Sequence, residues 1–397
     1  MTSWKIYRLG DICDYVTSRT SRIENYISTE NMLPNKGGVC APSNVPSGAA
    51  VEYKVGDILI SNLRPYFQKI WQANCNGACS ADVLCIRAND KTDSKYLYYL
   101  LSQQRFFDYV MAGAKGCKMP RGDKKQILQW QISLPPLEEQ RRIAGILSAI
   151  DDKIENNRRI NTNLELQAQA LYKQWFVDFE FPNEEGKPYK SSGGKMVDSE
   201  LGQIPDGWRV QRLDDYTVIK RGGSPRPIQN YLSNTGLNWL KISDATSTNS
   251  PFILEIKEFI KEEGLSKTVF LKKGNLVLSN SATPCIPKFL GLDTCIHDGW
   301  LYFPNAKLSK EYLYLLFKNN RQEILSQGNG SVFLNLKTDI LKSHLICLPN
   351  CIEKMNCFNM IVKAIFKNIE NCSFEIKHLA TLRDTLLPKL MNGEIKL

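Results

Sequence analysis

The stretch from Leu134 to Phe179 constrains the fold more than any other part of the sequence. It opens with Leu-Pro-Pro-Leu-Glu-Glu-Gln and then contains no proline and a single glycine, Gly145. Apolar residues recur at alternating steps of four and three, with Asn157 and Asn161 at two of these positions. Such a heptad seam is typical of a helix that packs along its length on another helix. At about 1.5 Å per residue, residues 140–178 would form a helix roughly 58 Å long, which needs a partner.

A second stretch near the C-terminus carries the same seam. It begins at Phe358 and ends at Leu390, and these residues lie 215 positions after their counterparts, Ile143 and Trp175. Two matching helices at a fixed offset indicate an internal duplication. The residues predicted to pair the helices are Ile143, Leu147, Ile150, Ile154, Leu164, Leu171, Phe358, Val362, Ile365, Ile369, Ile376, Leu379 and Leu386.

Shorter matches locate the two copies of the repeat. Residues 4–11 resemble 208–215, and Gly-Asp-Ile-Leu-Ile-Ser-Asn at 56–62 resembles Gly-Asn-Leu-Val-Leu-Ser-Asn at 274–280. Because each copy combines short β-branched runs with a predicted helix, we predict an α+β fold with a pseudo-two-fold internal repeat. The predicted segments are a globular domain at 1–136, a long spacer helix at 137–180, a linker at 181–207, a second globular domain at 208–349 and a second spacer helix at 350–397.

The net charge of +10 lies mainly on the two globular domains. Residues 1–136 hold 17 Lys and Arg against 11 Asp and Glu, and residues 208–349 hold 18 against 12, so each domain carries +6. This distribution favours two separate polyanion-binding modules, although the same excess also serves solubility.

Several classes of protein are disfavoured by what the sequence lacks. No stretch has the length and apolarity of a membrane span, and residues 1–5 do not open a signal peptide. The twelve cysteines are therefore interpreted as reduced thiols of a cytoplasmic protein. With three histidines and no Cys-x2-Cys pair, we expect no metal site.

Motifs of catalysis are also missing. There is no Asn-Pro-Pro-Tyr motif of amino methylation and no phosphate-binding P-loop. The triplet Glu185-Gly186-Lys187 bears only a weak likeness to a nuclease site. We therefore expect no catalytic residues and interpret the chain as a recognition protein whose partners carry the chemistry.

Loops that combine cations, glycines and small polar residues are candidates for contacting DNA. Residues 220–226 join three cations to a flexible turn, in which an arginine could bind guanine O6 and N7 with two hydrogen bonds. Residues 62–69 place an amide, a guanidinium and an aromatic ring on one loop, and a basic run follows Gly113. Taken singly, each residue is more readily explained as a solvated surface charge or a turn former than as a DNA contact. The candidates are Arg19, Asn62, Arg64, Tyr66, Lys69, Lys118, Arg121, Lys220, Arg221, Gly222, Ser224, Arg226, Asn280, Ser281, Thr283, Asn329 and Ser331.

Taken together, these features resemble the specificity subunit of Type I restriction–modification enzymes. The resemblance rests on the Leu-Pro-Pro-Leu-Glu-Glu-Gln opening, the Trp-Phe-Val-Asp-Phe end of the first helix at 175–179, and the Leu-Leu-Pro-Lys-Leu-Met-Asn-Gly-Glu-Ile ending at 386–395. It covers essentially the whole chain. The second helix departs from the pattern, because Pro349-Asn350 and Lys354-Met355 replace the Pro-Pro and Glu-Gln of the first.

The resemblance implies a protein that binds DNA without cutting or methylating it. Two α/β target-recognition domains would each read half of a split sequence, and the two long helices would pair as an antiparallel coiled coil that sets the gap. Two methyltransferase subunits and two restriction and translocation subunits would join the chain. S-adenosylmethionine, ATP and magnesium would be bound by those partners, so no cofactor is expected here.

Two alternatives stay open at this point. A stand-alone DNA methyltransferase or nuclease would need a cofactor or metal motif, and binding of S-adenosylmethionine by the isolated chain would reveal the methyltransferase. A non-catalytic scaffold with two heads on a coiled coil would bind DNA weakly and without regard to sequence.

Overall fold

The computed structural model describes residues 4–42, 44–327 and 335–397. The chain divides into two compact units, with unit 1 formed by Met1–Ile154 and Leu379–Leu397 and unit 2 by Glu155–His378. Both units mix helices and sheets, and the predicted α+β class is confirmed. Within the described ranges, no helix has the combination of length and apolar composition that a membrane crossing requires.

Unit 1 contains the first copy of the repeat. Its elements are β1 (Lys5–Arg8), β2 (Cys13–Tyr15), β3 (Arg19–Thr20), β4 (Ala50–Tyr53), β5 (Ile58–Ser61), β6 (Ile70–Gln72), β7 (Gly77–Cys79), β8 (Val83–Ala88), α1 (Ser94–Leu101), α2 (Gln104–Ala112), α3 (Lys124–Ile127), β9 (Gln131–Leu134) and the first part of α4 (Leu137–Phe176).

Strand β5 lies at the centre of unit 1. It pairs antiparallel with β8 and β6 in a sheet of order β2-β8-β5-β6, and a second sheet has the order β3-β4-β7. All four side chains of β5 are buried, so both faces of the strand are covered. Ile58 and Ile60 share one core with Tyr96 and Leu97 of α1 and Phe106 of α2.

Unit 2 contains the second copy. Its elements are the remainder of α4, β10 (Met196–Ser199), β11 (Gly202–Pro205), β12 (Trp208–Arg212), β13 (Lys220–Arg221), β14 (Leu232–Ser233), β15 (Leu237–Leu240), α5 (Ile242–Thr246), β16 (Phe252–Ile253), β17 (Phe259–Ile260), β18 (Val269–Leu271), β19 (Leu276–Ser279), β20 (Pro287–Leu290), β21 (Thr294–Ile296), β22 (Trp300–Tyr302), α6 (Lys310–Asn319), α7 (Arg321–Ser326), α8 (Thr338–Ser343), β23 (Leu345–Pro349) and the first part of α9 (Ile352–Met391).

Strand β19 has the same central place in unit 2 that β5 has in unit 1. All its side chains are buried, and it pairs antiparallel with β20 and β22 in a sheet of order β13-β22-β19-β20-β16. A second sheet has the order β14-β17-β15-β21-β18, in which β15 and β21 run parallel. The two units therefore repeat a central strand, as the sequence match at 56–62 and 274–280 predicts.

The opening strand of each copy pairs with the strand that precedes a long helix. β1 runs antiparallel to β9 with Lys5 opposite Leu134, and β12 runs antiparallel to β23 with Trp208 opposite Pro349. Gln140, in the first turn of α4, is buried and donates from Nε2 to the carbonyl of Pro135 (2.9 Å). The sequence match between residues 4–11 and 208–215 thus corresponds to a strand that, in each unit, pairs with the strand leading into a long helix.

The long helices pair antiparallel within each unit. In unit 1, Leu147 of α4 shares a core with Leu387 and Leu390 of α9. In unit 2, Asn157 Nδ2 donates to Glu375 Oε2 (2.8 Å), and Asn161 Nδ2 donates to Ser373 Oγ (3.1 Å). From the first of these pairs to the second, the residue number increases on α4 and decreases on α9, as expected of antiparallel helices.

All the residues predicted to pair the helices are buried or half-buried. Those fully buried are Ile143, Leu147, Ile154, Phe358, Val362 and Ile369. Those half-buried are Ile150, Leu164, Leu171, Ile365, Ile376, Leu379 and Leu386.

Residues 181–207, assigned to a linker by their composition, are folded in the structure. Strands β10 and β11 form an antiparallel hairpin. Phe181 is buried and stacks on Tyr189 and Trp208, with ring centroids 4.7 and 4.9 Å apart. These aromatic contacts attach the polar segment to the core of unit 2.

Candidate nucleic-acid interface

In unit 1, the end of β5 is joined to two loops. The N–H of Asn62 donates to the carbonyl of Asp82 (2.8 Å), the residue before β8. The carbonyl of Asn62 accepts from the N–H of Gly122 (3.3 Å), and the N–H of Arg64 donates to the carbonyl of Pro120 (2.8 Å). The loop between α2 and α3, which holds the predicted basic run, is therefore anchored beside the strand end.

Unit 2 repeats this arrangement at the end of β19. The N–H of Asn280 donates to the carbonyl of Gly299 (2.8 Å), the residue before β22, and its carbonyl accepts from the N–H of Leu336 (2.9 Å), shortly before α8. Asn62 and Asn280 occupy matching positions of the repeat, so the two units hold equivalent sites. Both side chains are buried, and in the part of the chain that the structure describes neither Oδ1 has a hydrogen-bond partner.

Four of the residues predicted for unit 1 meet at its strand end. Arg121 is bridged through its backbone to Leu63, and its guanidinium lies 3.2 Å from the carboxylate of Asp82. Arg64 has a left-handed backbone with φ of 49°, and Tyr66, two residues later, is exposed. Tyr66 and Arg121 are exposed, Arg64 is half-buried and Asn62 is buried, so the four residues surround one strand end but only part of the group faces solvent.

The other unit 1 candidates either lie away from this strand end or form hydrogen bonds within the unit. Lys69 Nζ donates to the carbonyl of Thr29 (2.7 Å), which engages its charge inside the unit. Arg19 is exposed on β3, in the second sheet, and Lys118 is exposed on the loop between α2 and α3.

In unit 2, the predicted arginine loop is held by Asp298, in the turn between β21 and β22. Ser224 Oγ donates to Asp298 Oδ1 (2.8 Å), and the guanidinium of Arg226 donates to Oδ2 (3.3 Å). Arg221 Nε donates to the carbonyl of Asp298 (2.6 Å). The Ser224 hydrogen bond outweighs partial burial and lowers the pKa of Asp298, with help from the charge of Arg221. Asp298 is therefore ionised at neutral pH.

Sequence reasoning missed both carboxylates that hold candidate arginines. Asp82 contacts Arg121 in unit 1, and Asp298 contacts Arg226 in unit 2. Both stand in the turn that precedes the strand next to the central one, β8 or β22. Aligning the two copies around that turn is the signal that would have found them.

Close packing explains the glycine of the arginine loop. A Cβ on Gly222 would lie 2.2 Å from the carbonyl oxygen of His297, so no side chain fits there. The N–H of Gly222 donates to the carbonyl of Trp300 (2.9 Å), which holds the loop against β22. Lys220 is exposed beside it on β13.

The remaining unit 2 candidates follow β19 or lie outside the described residues. Thr283 donates its N–H to the carbonyl of Ser281 (2.7 Å), forming a tight turn after Asn280. Asn329 and Ser331 belong to the residues that the structure does not describe.

The arrangement suits contact with DNA. Arg226 is 81% exposed at its side chain although one edge of its guanidinium is tied to Asp298. An arginine oriented in this way can present its free N–H groups to a phosphate or to guanine. Across residues 4–42, 44–327 and 335–397, no group of three or more His, Cys, Asp or Glu is arranged to hold a metal ion.

Comparisons with known proteins agree on one family. A family model described as a Type I restriction modification DNA specificity domain matches residues 1–166. The MjaIX specificity subunit of Methanocaldococcus jannaschii is 28% identical over 315 residues, covering 77% of this chain and 70% of the relative. The HindI specificity subunit of Haemophilus influenzae is 26% identical, covering all of both chains.

A solved structure shares the fold. The crystal structure of a Type-I restriction-modification system S subunit from M. genitalium matches with a TM-score of 0.59 at 14% identity, covering 98% of this chain and 96% of that one.

Proposed function

Because the chain belongs to the family of specificity subunits of Type I restriction–modification enzymes, we propose that it recognises a DNA target split into two halves. Unit 1 reads one half through the loops around Asn62, and unit 2 reads the other through the loop at 221–227. Recognition uses arginine side chains directed at base edges in the major groove, with the exposed lysines on phosphates. The proposed place of action is the cytoplasm.

The observation that carries this proposal is the repeated strand-end site. Asn62 and Asn280 make the same backbone hydrogen bonds to corresponding neighbours. Beside each, an exposed arginine is paired with a carboxylate, Arg121 with Asp82 and Arg226 with Asp298. Two equivalent sites on one chain, each within a domain of net charge +6, support a reader of two half-sites.

The chemistry is proposed to belong to partner subunits. Two methyltransferase subunits, which bring S-adenosylmethionine and flip the target adenine, bind this chain, and two restriction and translocation subunits with ATP and magnesium join them. The internal repeat supports this stoichiometry, because a pseudo-two-fold subunit can present like surfaces to two copies of one partner. The chain itself contributes recognition and no catalytic group.

Mapping of methylated adenines tests the proposal. The chain would be expressed with its methyltransferase in a host without other adenine methylation, and the modified motif would be read across the genome. We expect a motif of two short sequences separated by a gap of fixed length. Arg64→Ala should relax one short sequence and Arg226→Ala the other, each costing about 1–3 kcal/mol at one base position.

Arg158→Ala is the matched control, because it removes one exposed positive charge of α4 that lies outside both candidate sites. It should leave the motif unchanged. If an arginine contacts only phosphate, its loss should weaken binding at all sequences alike and reduce the salt dependence by about one unit of slope. A continuous motif, or relaxation of the same half by both variants, would contradict the assignment of one half to each unit.

A further inference from the structure

Each of the two candidate sites contains a carboxylate that binding of DNA by arginine does not require. The side chains of Asp82 in unit 1 and Asp298 in unit 2 are 37% and 43% exposed, so DNA can reach both. A carboxylate at such a place repels phosphate groups and weakens the binding of every DNA sequence. A gain in affinity therefore does not explain these residues, which leaves a role in the fold of the loops or in specificity.

The internal repeat does not account for the two pairs of aspartate and arginine. Strands β8 and β22 begin at equivalent points, because each starts opposite the last residue of the central strand of its unit. Asp82 is the residue directly before β8, whereas Asp298 is two residues before β22. Arg121 comes from the loop between α2 and α3, and Arg226 from the loop after β13. The same pair of charges is therefore formed twice by non-equivalent residues, which favours a role in a function that both units share.

Each carboxylate orients its arginine and leaves part of the guanidinium available. Nη2 of Arg226 donates to Asp298 Oδ2 (3.3 Å), and Nη2 of Arg121 lies 3.2 Å from Asp82 Oδ1. A guanidinium has five N–H donors in one plane, so further donors remain for O6 and N7 of guanine. Holding a long side chain in one conformation also reduces the entropy that is lost when DNA binds.

Asp298 also keeps the capacity to accept a hydrogen bond from a base. An ionised carboxylate has about four acceptor positions on its two oxygens. Ser224 Oγ donates to Oδ1 (2.8 Å) and Arg226 to Oδ2, whereas Arg221 uses the backbone carbonyl of Asp298 instead. In the major groove, the donors on base edges are the amino groups of cytosine and adenine, N4 and N6. A carboxylate can therefore accept from these two bases and is repelled by the oxygens of thymine and guanine.

We propose that Asp82 and Asp298 are specificity-determining residues of the two half-sites. Each holds its arginine toward a guanine and accepts the amino group of a cytosine or an adenine beside that guanine. Thymine is rejected at this second position, because its O4 would face the carboxylate. This inference rests on the proposed function, because it requires DNA to be bound at both strand ends. It adds a second base to the one that each arginine contacts.

Replacement of the carboxylate by an amide of the same shape separates specificity from affinity. Once the methylated motif is known, fluorescence anisotropy would measure binding of the full chain to a duplex with the motif and to one without it. Asp298→Asn should bind the unrelated duplex about threefold more tightly, because one negative charge near the phosphates is removed. Its preference for the motif should fall about tenfold. A loop that had only lost support would bind both duplexes less tightly.

Asp293→Asn is the matched control in unit 2. The side chain of Asp293 is 44% exposed and forms an ion pair with Lys272 (2.9 Å), much as Asp298 does with Arg226. It lies directly before β21, whereas Asp298 lies shortly after this strand, so the control is at the opposite end from the candidate interface. Asp293→Asn should change neither affinity nor motif. Asp82→Asn should relax the half of the motif that Asp298→Asn leaves intact.

Modified bases identify the atoms that are contacted in the unit 2 half-site. One position at a time, 7-deazaguanine would replace guanine, purine would replace adenine, and pyrimidin-2-one would replace cytosine. The first analogue lacks N7 and the other two lack the amino group. The wild-type chain should lose about tenfold in affinity at one position of each kind. Arg226→Ala should be insensitive to the loss of N7 and Asp298→Ala to the loss of the amino group, because the protein partner is already absent.

Weaker binding of both duplexes by Asp298→Asn, with an unchanged motif, would mean that the carboxylate only supports the loop, and would overturn this inference. An effect of the amino group that persists in Asp298→Ala would overturn it as well, because another group would then be the acceptor. Either result leaves a bipartite motif and the proposed function in place. Absence of any sequence preference in the wild-type chain would instead contradict the proposed function itself.

Discussion

Lys288 is a buried cation in the middle of β20, and its charge is costly to the fold. Only 5% of the residue is exposed. Its Nζ donates to the carbonyls of Thr248 (2.8 Å) and Ser250 (2.5 Å). Burial, with the nearby charge of Lys318, lowers the pKa of Lys288 to about 8, despite the opposing effect of Glu165. The two carbonyls satisfy donors, but they do not replace the hydration of an ammonium group.

This lowered pKa predicts a rise of stability with pH. Between the folded pKa of about 8 and the unfolded pKa of 10.5, the unfolded chain binds more protons at Lys288 than the folded chain. The penalty is complete below pH 8 and is relieved as the pH rises through this window. From pH 7 to 9.5, the residue should add about 2 kcal/mol to the free energy of unfolding.

Urea unfolding of the wild type and Lys288→Met at both pH values measures this contribution. The difference in unfolding free energy between the two proteins should shift by about 2 kcal/mol in favour of the wild type at pH 9.5. Lys187→Met, which removes a lysine that is 65% exposed, is the control and should show no such shift. Equal pH dependence in wild type and Lys288→Met would mean that Lys288 titrates normally in the fold.

At the scale of elements, the paired segments of α4 and α9 stabilise each unit. Leu147 is fully buried in the core of unit 1, whereas Ile365 is only partly buried against the core of unit 2. Leu147→Glu should therefore lower the free energy of unfolding by about 3–5 kcal/mol, because the carboxylate has no partner there. Ile365→Glu can turn toward water and should cost about 1–2 kcal/mol.

Thermal and urea unfolding would compare these variants with Ile146→Glu. Ile146 is next to Leu147 on α4 but is 38% exposed, so its substitution should change stability by less than about 0.5 kcal/mol. If Leu147→Glu were as stable as Ile146→Glu, the heptad seam would not face the core in unit 1.

The heptad pattern predicted these helices well because their buried apolar residues recur at regular steps along the sequence. Its limit appears at the end of α9, where Leu386 was predicted and Leu387 is the more buried residue. An α-helix has 3.6 residues per turn, so a strict seven-residue repeat drifts around its surface. Asn157 and Asn161 were placed on the seam correctly, but their bonds to α9 depend on residues more than 200 positions away.

At the scale of the whole molecule, the internal repeat was the feature that sequence could predict best. The matching strands β1 and β12 and the central strands β5 and β19 occupy equivalent places in their units. The candidate sites could be predicted only in part. Asp298 forms hydrogen bonds with residues 72 to 77 positions earlier in the sequence. Long-range contacts of this kind leave no periodic signal in the sequence.

Helix length is the variable that we expect to set the gap between the two proposed half-sites. Both α4 and α9 continue from one unit into the other, across the junctions Ile154–Glu155 and His378–Leu379. The ion pair Asp151–Arg383 lies just before the α4 junction, and the hydrogen bond Asn157–Glu375 lies just after it. The two junctions are therefore at equivalent positions on the paired helices. One heptad inserted at both junctions keeps the seam in register and leaves the contacts inside each unit intact. It adds roughly 10 Å of helix, equivalent to at most about three base pairs.

The methylated motif of this double insertion should contain the same two short sequences, separated by a longer gap. Insertion into α4 alone is the control, because it misaligns the antiparallel seams and should destabilise the protein without giving a new gap. Changed half-sites with an unchanged gap would contradict the role of the helices. That result would mean that the spacing is fixed by the recognition units or by the partner subunits, and that the continuity of α4 and α9 serves stability alone.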